Sequence, residues 1–295
     1  MQSDTAICEL FRVVATKLGD GKIEQPDQEA WWLLEALFKS PRSRLMCEVR
    51  LPFSESQQEK IDQWIHERVD EKKPLQYIIG YVPFCGISVL VRPPILIPRP
   101  ETEEWTASLI KELRVVQMPQ MKILDLCCGS GCIGLALADA FPDARVVGVD
   151  LNPEAVALAC ENRDRLGIAN AFFVQEDLNV FLDSVPEKFD LVVSNPPYIA
   201  DSELCMLPEG VVKWEDHKAL FAPDRGLAFY KDIAQKIRRV LAGKSAIGVP
   251  EVCLEIGRLQ GKEVTEIISK CGFYGIVVHK DASGQDRCVH AKLNY

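Results

Sequence analysis

The sequence predicts an α/β fold in which a mostly parallel sheet follows a small helical domain, and three observations support this prediction. From residue 121 onward, short apolar runs alternate with amphipathic stretches, which is typical of a parallel sheet with helices on both faces. Residues 1–80 carry helical periodicity instead. Between these regions, residues 81–100 combine alternating apolar residues with glycine and proline, as expected of a β-hairpin linker.

Two helices can be placed within residues 1–80. The stretch SESQQEK begins with Ser54 and Gln57, whose spacing is that of a capping box, in which each side chain bonds the other residue's backbone N–H. A second helix follows Pro26, where apolar residues recur with helical spacing. The face of this helix that we expect to be buried contains Trp31, Leu34 and Phe38.

The hydrophobic pattern divides the region after residue 121 into successive elements. Strands are predicted at MKILDL, ARVVGVD, AFFVQED, FDLVVSN and VPEVCLEIG, and helices at 132–140, 153–166, 226–242 and 259–271. The last two apolar segments, YGIVVHKD and RCVHAKLN, are expected to close the chain as an antiparallel hairpin. In sheets of this kind, ligands bind beyond the carboxyl ends of the strands.

Composition and charge argue against several classes of protein. The 295 residues are 47% hydrophobic and 26% charged, and the net charge is −9, whereas a protein that mainly grips nucleic acid usually carries a basic face. No apolar run approaches the roughly 18 residues of a membrane helix, and the start MQSDTAICEL lacks the features of a signal peptide. We therefore expect a cytoplasmic protein of a bacterium, or of an organelle matrix after removal of a transit peptide.

Cysteine and histidine usage argues against disulfides and against a metal site. Three of the eleven cysteines, Cys127, Cys128 and Cys132, fall in one loop, and the others are scattered. Without a secretory signal, reduced thiols are expected. The four histidines show no zinc-like spacing with a cysteine pair, so we predict no bound metal.

Polar or small residues stand at four successive strand ends. The first strand runs into DLCCGSGCIG, where Gly129 and Gly131 permit a tight turn and a close backbone approach to a ligand. The second strand ends at Asp150, whose carboxylate can accept both hydroxyls of a ribose, and the third near Asp177, which can accept from an adenine amino group. The fourth ends at residues 195–198, Asn-Pro-Pro-Tyr, and the set indicates a nucleoside site beside a rigid turn.

The motifs DLCCGSG, VVGVD and SNPPYI together resemble those of the class I S-adenosylmethionine-dependent methyltransferases, which have a Rossmann-like sheet. The upstream stretch ILIPRPETEEW, residues 95–105, resembles the release-factor glutamine methyltransferases of the PrmC/HemK family, and the likeness extends over essentially the whole chain. It implies methyl transfer from S-adenosylmethionine, leaving S-adenosylhomocysteine, to the amide nitrogen N5 of the glutamine in the Gly-Gly-Gln loop of peptide chain release factors.

The resemblance also implies roles for particular residues. Those implied to bind the cofactor are Cys127, Cys128, Gly129, Ser130, Gly131, Asp150, Asp177, Leu178 and Asn195. Those implied to hold the substrate glutamine are Asn195, Pro196, Pro197 and Tyr198, while Arg99, Thr102 and Glu103 are implied to border the same pocket. Two positions depart from the family pattern, because Cys127 replaces the usual glycine and Leu178 stands where some relatives carry an aromatic residue.

The same comparison divides the chain by role. Residues 101–295 are expected to form the methyltransferase domain, and residues 1–80 to recognise the release factor. The segment 200–225 is too long for an ordinary connection and directly follows the Asn-Pro-Pro-Tyr turn, so we expect it to roof the pocket. Trp214 and Glu215 are its candidate contact residues.

The Asn-Pro-Pro-Tyr sequence suits methylation of an amide nitrogen, whose lone pair is delocalised into the carbonyl group. The Asn195 side-chain oxygen and the Pro196 carbonyl can accept the two N–H groups and hold the nitrogen, while two prolines keep the backbone fixed. Tyr198 offers a flat face to the planar amide. Catalysis then depends mainly on orientation and electrostatic placement, and no strong base is required.

Three other functions use parts of the same pattern. Adenine-N6 DNA methyltransferases share the tetrapeptide but need a basic groove, which this acidic chain does not show, so no direct contact with nucleic acid or membrane is expected. A ribosomal-protein glutamine methyltransferase uses the same chemistry, and IPRPETE argues against it. A catalytically silent scaffold predicts damage to the cofactor loop or to Asn195, and apart from Cys127 there is none.

Overall fold

The computed structural model describes residues 2–48, 50–116, 120–243 and 249–293, and for residues 2–5 the backbone alone. The chain divides into two compact units. One comprises Met1–Gly80 and Pro208–Trp214, and the other comprises Tyr81–Leu207 and Glu215–Tyr295. Nowhere in these described ranges is a helix both long enough and apolar enough to cross a bilayer.

The first unit is mainly helical. Its elements up to residue 80 are β1 (Gln2–Thr5), α1 (Ile7–Asp20), α2 (Pro26–Phe38), α3 (Arg42–Leu45), β2 (Leu51–Ser54), α4 (Glu55–Val69) and α5 (Leu75–Ile79). The predicted capping box is confirmed, because the Gln57 N–H donates to Ser54 Oγ at 3.2 Å and the Ser54 N–H donates to Gln57 Oε1 at 2.9 Å. On α2, Trp31 and Leu34 are buried, and Phe38 packs against the same core while partly exposed.

The prediction that residues 1–80 are helical is wrong at two places. β1 and β2 pair as antiparallel strands, with Gln2 opposite Ser54 and Thr5 opposite Leu51. Because these partners lie about fifty residues apart, their pairing leaves no trace in local periodicity.

The second unit contains the sheet. The elements after residue 80, in chain order, are β3 (Tyr81–Phe84), β4 (Ile87–Leu90), α6 (Pro100–Val116), β5 (Lys122–Leu126), α7 (Cys132–Ala140), β6 (Arg145–Asp150), α8 (Pro153–Leu166), β7 (Ala171–Gln175), α9 (Leu178–Ser184), β8 (Leu191–Ser194), α10 (Glu209–Trp214), α11 (His217–Leu220), α12 (Pro223–Gly226), α13 (Ala228–Lys236), β9 (Val252–Glu255), α14 (Gly261–Lys270), β10 (Phe273–Lys280) and β11 (Asp286–Leu293). Of these, α10 belongs to the first unit.

Within the described residues the main sheet has seven strands in the order β10-β11-β9-β8-β5-β6-β7. The pairings from β9 to β7 are parallel, and β11 joins β9 and β10 in antiparallel fashion. The predicted α/β class, with a mostly parallel Rossmann-like sheet and an antiparallel C-terminal hairpin, is confirmed. Strand β5 lies between β6 and β8, so the strand order reverses there, and such a reversal opens a crevice at the carboxyl ends.

A buried asparagine fixes the position of the glycine loop that follows β5. Asn162 on α8 is fully buried, accepts from the Leu90 N–H at 2.7 Å, and donates to the Leu90 carbonyl at 3.1 Å. The same amide group donates to the Ser130 carbonyl at 3.0 Å. A single side chain therefore joins α8, the β3–β4 hairpin and the glycine loop.

We predict that Asn162→Ala lowers the free energy of unfolding by about 2–4 kcal/mol, because buried backbone groups of Leu90 and Ser130 lose their partner. Urea unfolding followed by circular dichroism measures this change. Arg165→Ala is the matched control, because Arg165 lies on the same helix but makes exposed bonds to Ser88. Equal losses in the two variants would contradict the role assigned to Asn162.

Candidate active site

A cavity of about 360 Å³ lies beyond the carboxyl ends of the parallel strands, where the strand order reverses. Elements on both sides of β5 contribute to its wall, as expected for a ligand crevice of this sheet type. The residues that line it are Ile95, Leu96, Cys127, Gly129, Val149, Asp150, Leu151, Asn152, Pro153, Ala155, Glu176, Asp177, Leu178, Asn195, Pro197, Asp216, Lys218, Ala219 and Phe229.

The glycine loop is held to the end of β6 by its own backbone. The Cys128 N–H donates to the Val149 carbonyl at 3.1 Å, and the Gly129 N–H donates to Asp150 Oδ2 at 2.8 Å. Gly131 then has a φ of +80°, a conformation that glycine adopts without steric cost, and the helix α7 begins directly after it. The loop therefore passes close to Asp150 and directs the start of a helix toward the same region.

Cys127 stands at the first position of this loop with a φ of +57°. This left-handed conformation costs a residue with a side chain about 1–2 kcal/mol. Its side chain is partly buried against the core and also reaches the cavity wall. Because Cys127 is not a glycine, the backbone at this position is strained beside the cavity.

Acidic groups dominate the charge of the cavity. Four carboxylates line it, those of Asp150, Glu176, Asp177 and Asp216, and the lining cation among the described residues is Lys218. Burial raises the pKa of Asp150, although backbone N–H groups donate to it. Such a wall favours a positively charged ligand and disfavours a pyrophosphate.

The carboxylates of Asp150 and Asp177 already bind backbone. Asp150 Oδ1 accepts from the Asn152 N–H at 2.9 Å, and Asp177 Oδ1 caps α9 by accepting from Asn179 and Val180. A carboxylate has about four acceptor positions, so both groups keep capacity for a ligand. The backbone bonds hold these side chains in place before any ligand arrives.

A chain of hydrogen bonds sets the orientation of the Asn195 amide. Glu255 is fully buried, and its Oε2 accepts from Thr102 Oγ1 at 2.6 Å and from Trp105 Nε1 at 2.8 Å. Because Thr102 donates to a carboxylate, its oxygen is left to accept, and Asn195 Nδ2 lies 3.4 Å from it. Asn195 therefore directs its NH2 group toward Thr102, and its Oδ1 makes no hydrogen bond to the residues that the structure describes.

Tyr198 is anchored at both ends. Its hydroxyl donates to Glu255 Oε1 at 3.3 Å, and its backbone carbonyl accepts from Gln260 Nε2 at 2.9 Å. Burial, and secondly the Glu255 charge, raise the pKa of the Tyr198 hydroxyl well above its usual value. Tyr198 therefore stays a neutral phenol and presents a fixed ring.

Several residues implied by the family resemblance do not line the cavity. Arg99 pairs with buried Glu215 at 2.6 Å, and Glu103 accepts from the Cys85 N–H at 2.8 Å, which fixes the turn of the hairpin. Trp214 belongs to the first unit, where its Nε1 donates to the Glu71 carbonyl at 3.1 Å. The others that lie outside the wall are Cys128, Ser130, Gly131, Pro196, Tyr198 and Thr102.

Residues that sequence reasoning missed include Asp125, Asp216 and Glu255. Asp125 is fully buried in β5, accepts from the Gly134 N–H at 2.9 Å, and has its pKa raised to about 8 by burial. A carboxylate inside an otherwise apolar strand was the available signal for Asp125 and Glu255. Asp216 reaches the cavity from the segment 200–225, which does contribute to the cavity wall as expected.

Comparison with known proteins identifies the kind of domain first. A family model described as "Methyltransferase domain" matches residues 117–285. In solved structures, a S-adenosylmethionine-dependent methyltransferase from Agrobacterium tumefaciens superposes with a TM-score of 0.50 at 16% identity, over 72% of this chain and 70% of that one. The sheet and its crevice are thus those of a Rossmann-like methyltransferase.

The comparison of sequences is more specific. A second family model, "PrmC N-terminal domain", matches residues 9–80. Release factor glutamine methyltransferase from Geobacter sulfurreducens is 33% identical over 94% of this chain and 93% of its own length, and that from Fusobacterium nucleatum is 32% identical over 96% and 78%. The Lactococcus lactis enzyme is 37% identical over 77% and 80%. The chain belongs to the release factor glutamine methyltransferase family.

We predict that Cys127→Gly changes the free energy of unfolding by less than about 1 kcal/mol, because relief of the left-handed strain offsets the flexibility that glycine adds to the unfolded chain. Cys127→Val should lower it by about 2 kcal/mol or more, since a β-branched residue tolerates this φ poorly. Urea unfolding of both variants measures the difference. Similar losses for glycine and valine would show that the thiol's packing, and not backbone strain, dominates at this position.

Proposed function

We propose that this protein transfers the methyl group of S-adenosylmethionine to the side-chain amide nitrogen of a glutamine in a peptide chain release factor. The observation that carries the proposal is the acidic cavity with Asn195 and Pro197 on its wall. Family membership supports the choice of substrate, since the curated relatives are release factor glutamine methyltransferases. The Gly-Gly-Gln loop is the proposed location of that glutamine.

The charge of the cavity supports S-adenosylmethionine as the methyl donor. This molecule carries a sulfonium and an ammonium group, and four carboxylates with one lysine favour such a cationic ligand. A nicotinamide dinucleotide would instead place a pyrophosphate against these carboxylates. Asp150 is the proposed acceptor for the ribose hydroxyls, and Asp177 and Leu178 are the proposed contacts of the adenine.

When bound, S-adenosylmethionine supplies an electrophilic methyl group. The protein's task is to hold a poorly nucleophilic amide nitrogen in line with that methyl group. Asn195 Oδ1, left free by the bond of its NH2 group toward Thr102, accepts one N–H of the substrate amide. The Pro196 carbonyl is the proposed second acceptor, and the anchored ring of Tyr198 the proposed flat face.

Recognition of a folded protein requires a surface larger than the cavity. Stable protein interfaces bury about 800 Å² on each partner, whereas a single glutamine side chain supplies a small part of that area. We propose that residues 1–80 provide the additional contact. Their match to the PrmC N-terminal family model supports this assignment.

Incubation with methyl-labelled S-adenosylmethionine and purified release factors tests the proposal. Mass spectrometry should place the label on the glutamine of the Gly-Gly-Gln loop. Label on a ribosomal protein instead, or on adenine in DNA, would identify one of the alternative functions.

Asn195→Ala should reduce kcat by at least about 100-fold, a loss typical of removing one polar contact at a reacting centre. Its affinity for S-adenosylmethionine, measured by calorimetry, should stay close to that of the wild type, because the glycine loop and Asp150 are untouched. Asn179→Ala is the control, since Asn179 bonds Asp232 away from the cavity wall. Normal turnover of Asn195→Ala would exclude Asn195 as the acceptor.

We further predict that Thr102→Val lowers kcat about 10-fold, or about 1.4 kcal/mol, because the hydroxyl that orients the Asn195 amide is lost. Thr102→Ser keeps the hydroxyl and should retain most of the activity. Steady-state kinetics on intact release factor separates kcat from KM, and circular dichroism checks folding. If serine and valine lowered kcat equally, Thr102 would matter for packing alone.

A further inference from the structure

Two histidines and a glutamate meet on the face of the sheet that packs against α6. Glu112 lies on α6, His279 on β10 and His290 on β11, and one ligand atom from each lies within 4.8 Å of the other two. The His290 Nδ1 and Glu112 Oε2 atoms are 3.8 Å apart, and the two imidazole centroids are 3.9 Å apart. The proposed methyl transfer uses none of these residues.

His290 is the buried member of this cluster. Its side chain is 7% exposed, and its Nε2 finds no hydrogen-bond partner among the described residues. The other ring nitrogen, Nδ1, faces Glu112 Oε2 at 3.8 Å, which is beyond hydrogen-bond distance, so both nitrogens of His290 can take a ligand. Burial, and secondly the neighbouring His279, lower the pKa of His290.

The cluster is accessible from solvent. A cavity of about 110 Å³ is lined by both histidines together with Ser108 and Glu104 on α6. The Glu112 side chain is 38% exposed, and His279 is half-buried. The two histidines can therefore be reached from this cavity, whose wall also contains Lys280 and Arg287 and does not include Glu112.

We propose that Glu112, His279 and His290 bind a divalent zinc ion with water as the fourth ligand. Two imidazole nitrogens and one carboxylate form a donor set that zinc accepts, whereas magnesium and calcium prefer oxygen alone. Zinc–ligand bonds of about 2.0–2.2 Å require the three atoms to approach more closely than 4.8 Å. Rotation of the partly exposed Glu112 and His279 side chains supplies that approach.

The ion would join the C-terminal half of α6 to the β10–β11 hairpin. Thr102 lies ten residues before Glu112 on the same helix, a distance of about 15 Å along its axis. The ion is therefore structural and takes no part in methyl transfer. The sequence predicted no metal because the histidines lack zinc-like spacing with a cysteine pair, whereas the fold brings Glu112 of α6 to the two histidines of the β10–β11 hairpin.

Two buried thiols stand next to the histidines in the register of the sheet. Cys253 is the cross-strand partner of His290, and Cys288 that of His279. Neither thiol belongs to the group of described residues whose ligand atoms lie within 4.8 Å of one another, so the proposed ion binds the two histidines and Glu112 without sulfur. Zinc binding by the Cys253→Ser variant therefore tests whether a thiol takes part in the site.

The test is calorimetric titration of the full-length, chelator-treated protein with zinc chloride. We expect one zinc per chain, and we expect His279→Gln and Glu112→Gln each to raise Kd at least 10-fold. His66→Gln is the matched control, because His66 is an exposed histidine of the first unit, and Cys253→Ser should also bind like the wild type. Zinc should raise the Tm of the wild type and not that of His279→Gln.

Wild-type affinity in His279→Gln and Glu112→Gln would overturn the proposal, as would loss of binding in Cys253→Ser or no binding at all. Because His290 is buried, its variants can misfold, so the decisive substitutions are the two partly exposed ligands. Cobalt absorption of the wild type adds a readout that needs no substitution. A spectrum of tetrahedral nitrogen–oxygen ligation supports the site, and a sulfur charge-transfer band contradicts it.

Discussion

The Glu255 carboxylate is the group on which the arrangement of Thr102, Asn195 and Tyr198 depends. It is fully buried, yet it accepts from Thr102 and Trp105 on α6 and from Tyr198 after β8. Burial raises its pKa, and these donors lower it again. An isolated buried charge would be very costly, so the three donors and the carboxylate stabilise one another, and losing any of them weakens the rest.

This arrangement explains why the IPRPETE segment matters although most of it lies away from the cavity. Thr102 contacts Asn195, Glu103 accepts from the backbone of the hairpin turn, and Arg99 pairs with Glu215. Burial raises the pKa of Glu215 in spite of Arg99. These side chains contact other protein residues and do not line the cavity. Such contacts cannot be predicted from the motif, because the motif does not contain the partner residues.

Structural features that depend on neighbouring residues could be predicted from the sequence. The capping box at Ser54 and the alternation of strands and helices after residue 121 were predictable, since both follow from neighbouring residues. Three features could not be predicted, because each depends on partners far apart in sequence. They are the pairing of β1 with β2, the hydrogen bonds of Glu255 and the proximity of His279 to Glu112. The residues at the strand ends could be predicted in part. Local patterns place each of them at the end of a strand, and the parallel topology of the sheet brings several of them into one cavity wall.

The return of Pro208–Trp214 to the first unit means that this unit is discontinuous in sequence. Within it, Trp214 and Lys213 donate to the Glu71 carbonyl, and the backbone at Gly210 passes so close to Lys72 that a Cβ would meet its carbonyl oxygen at 2.6 Å. A cut at residue 80 therefore does not separate two independent modules, because it leaves an exposed tryptophan and unpaired donors in the fragment that remains. A nascent chain shorter than 214 residues therefore lacks the segment that completes its first unit, and the second unit continues to residue 295.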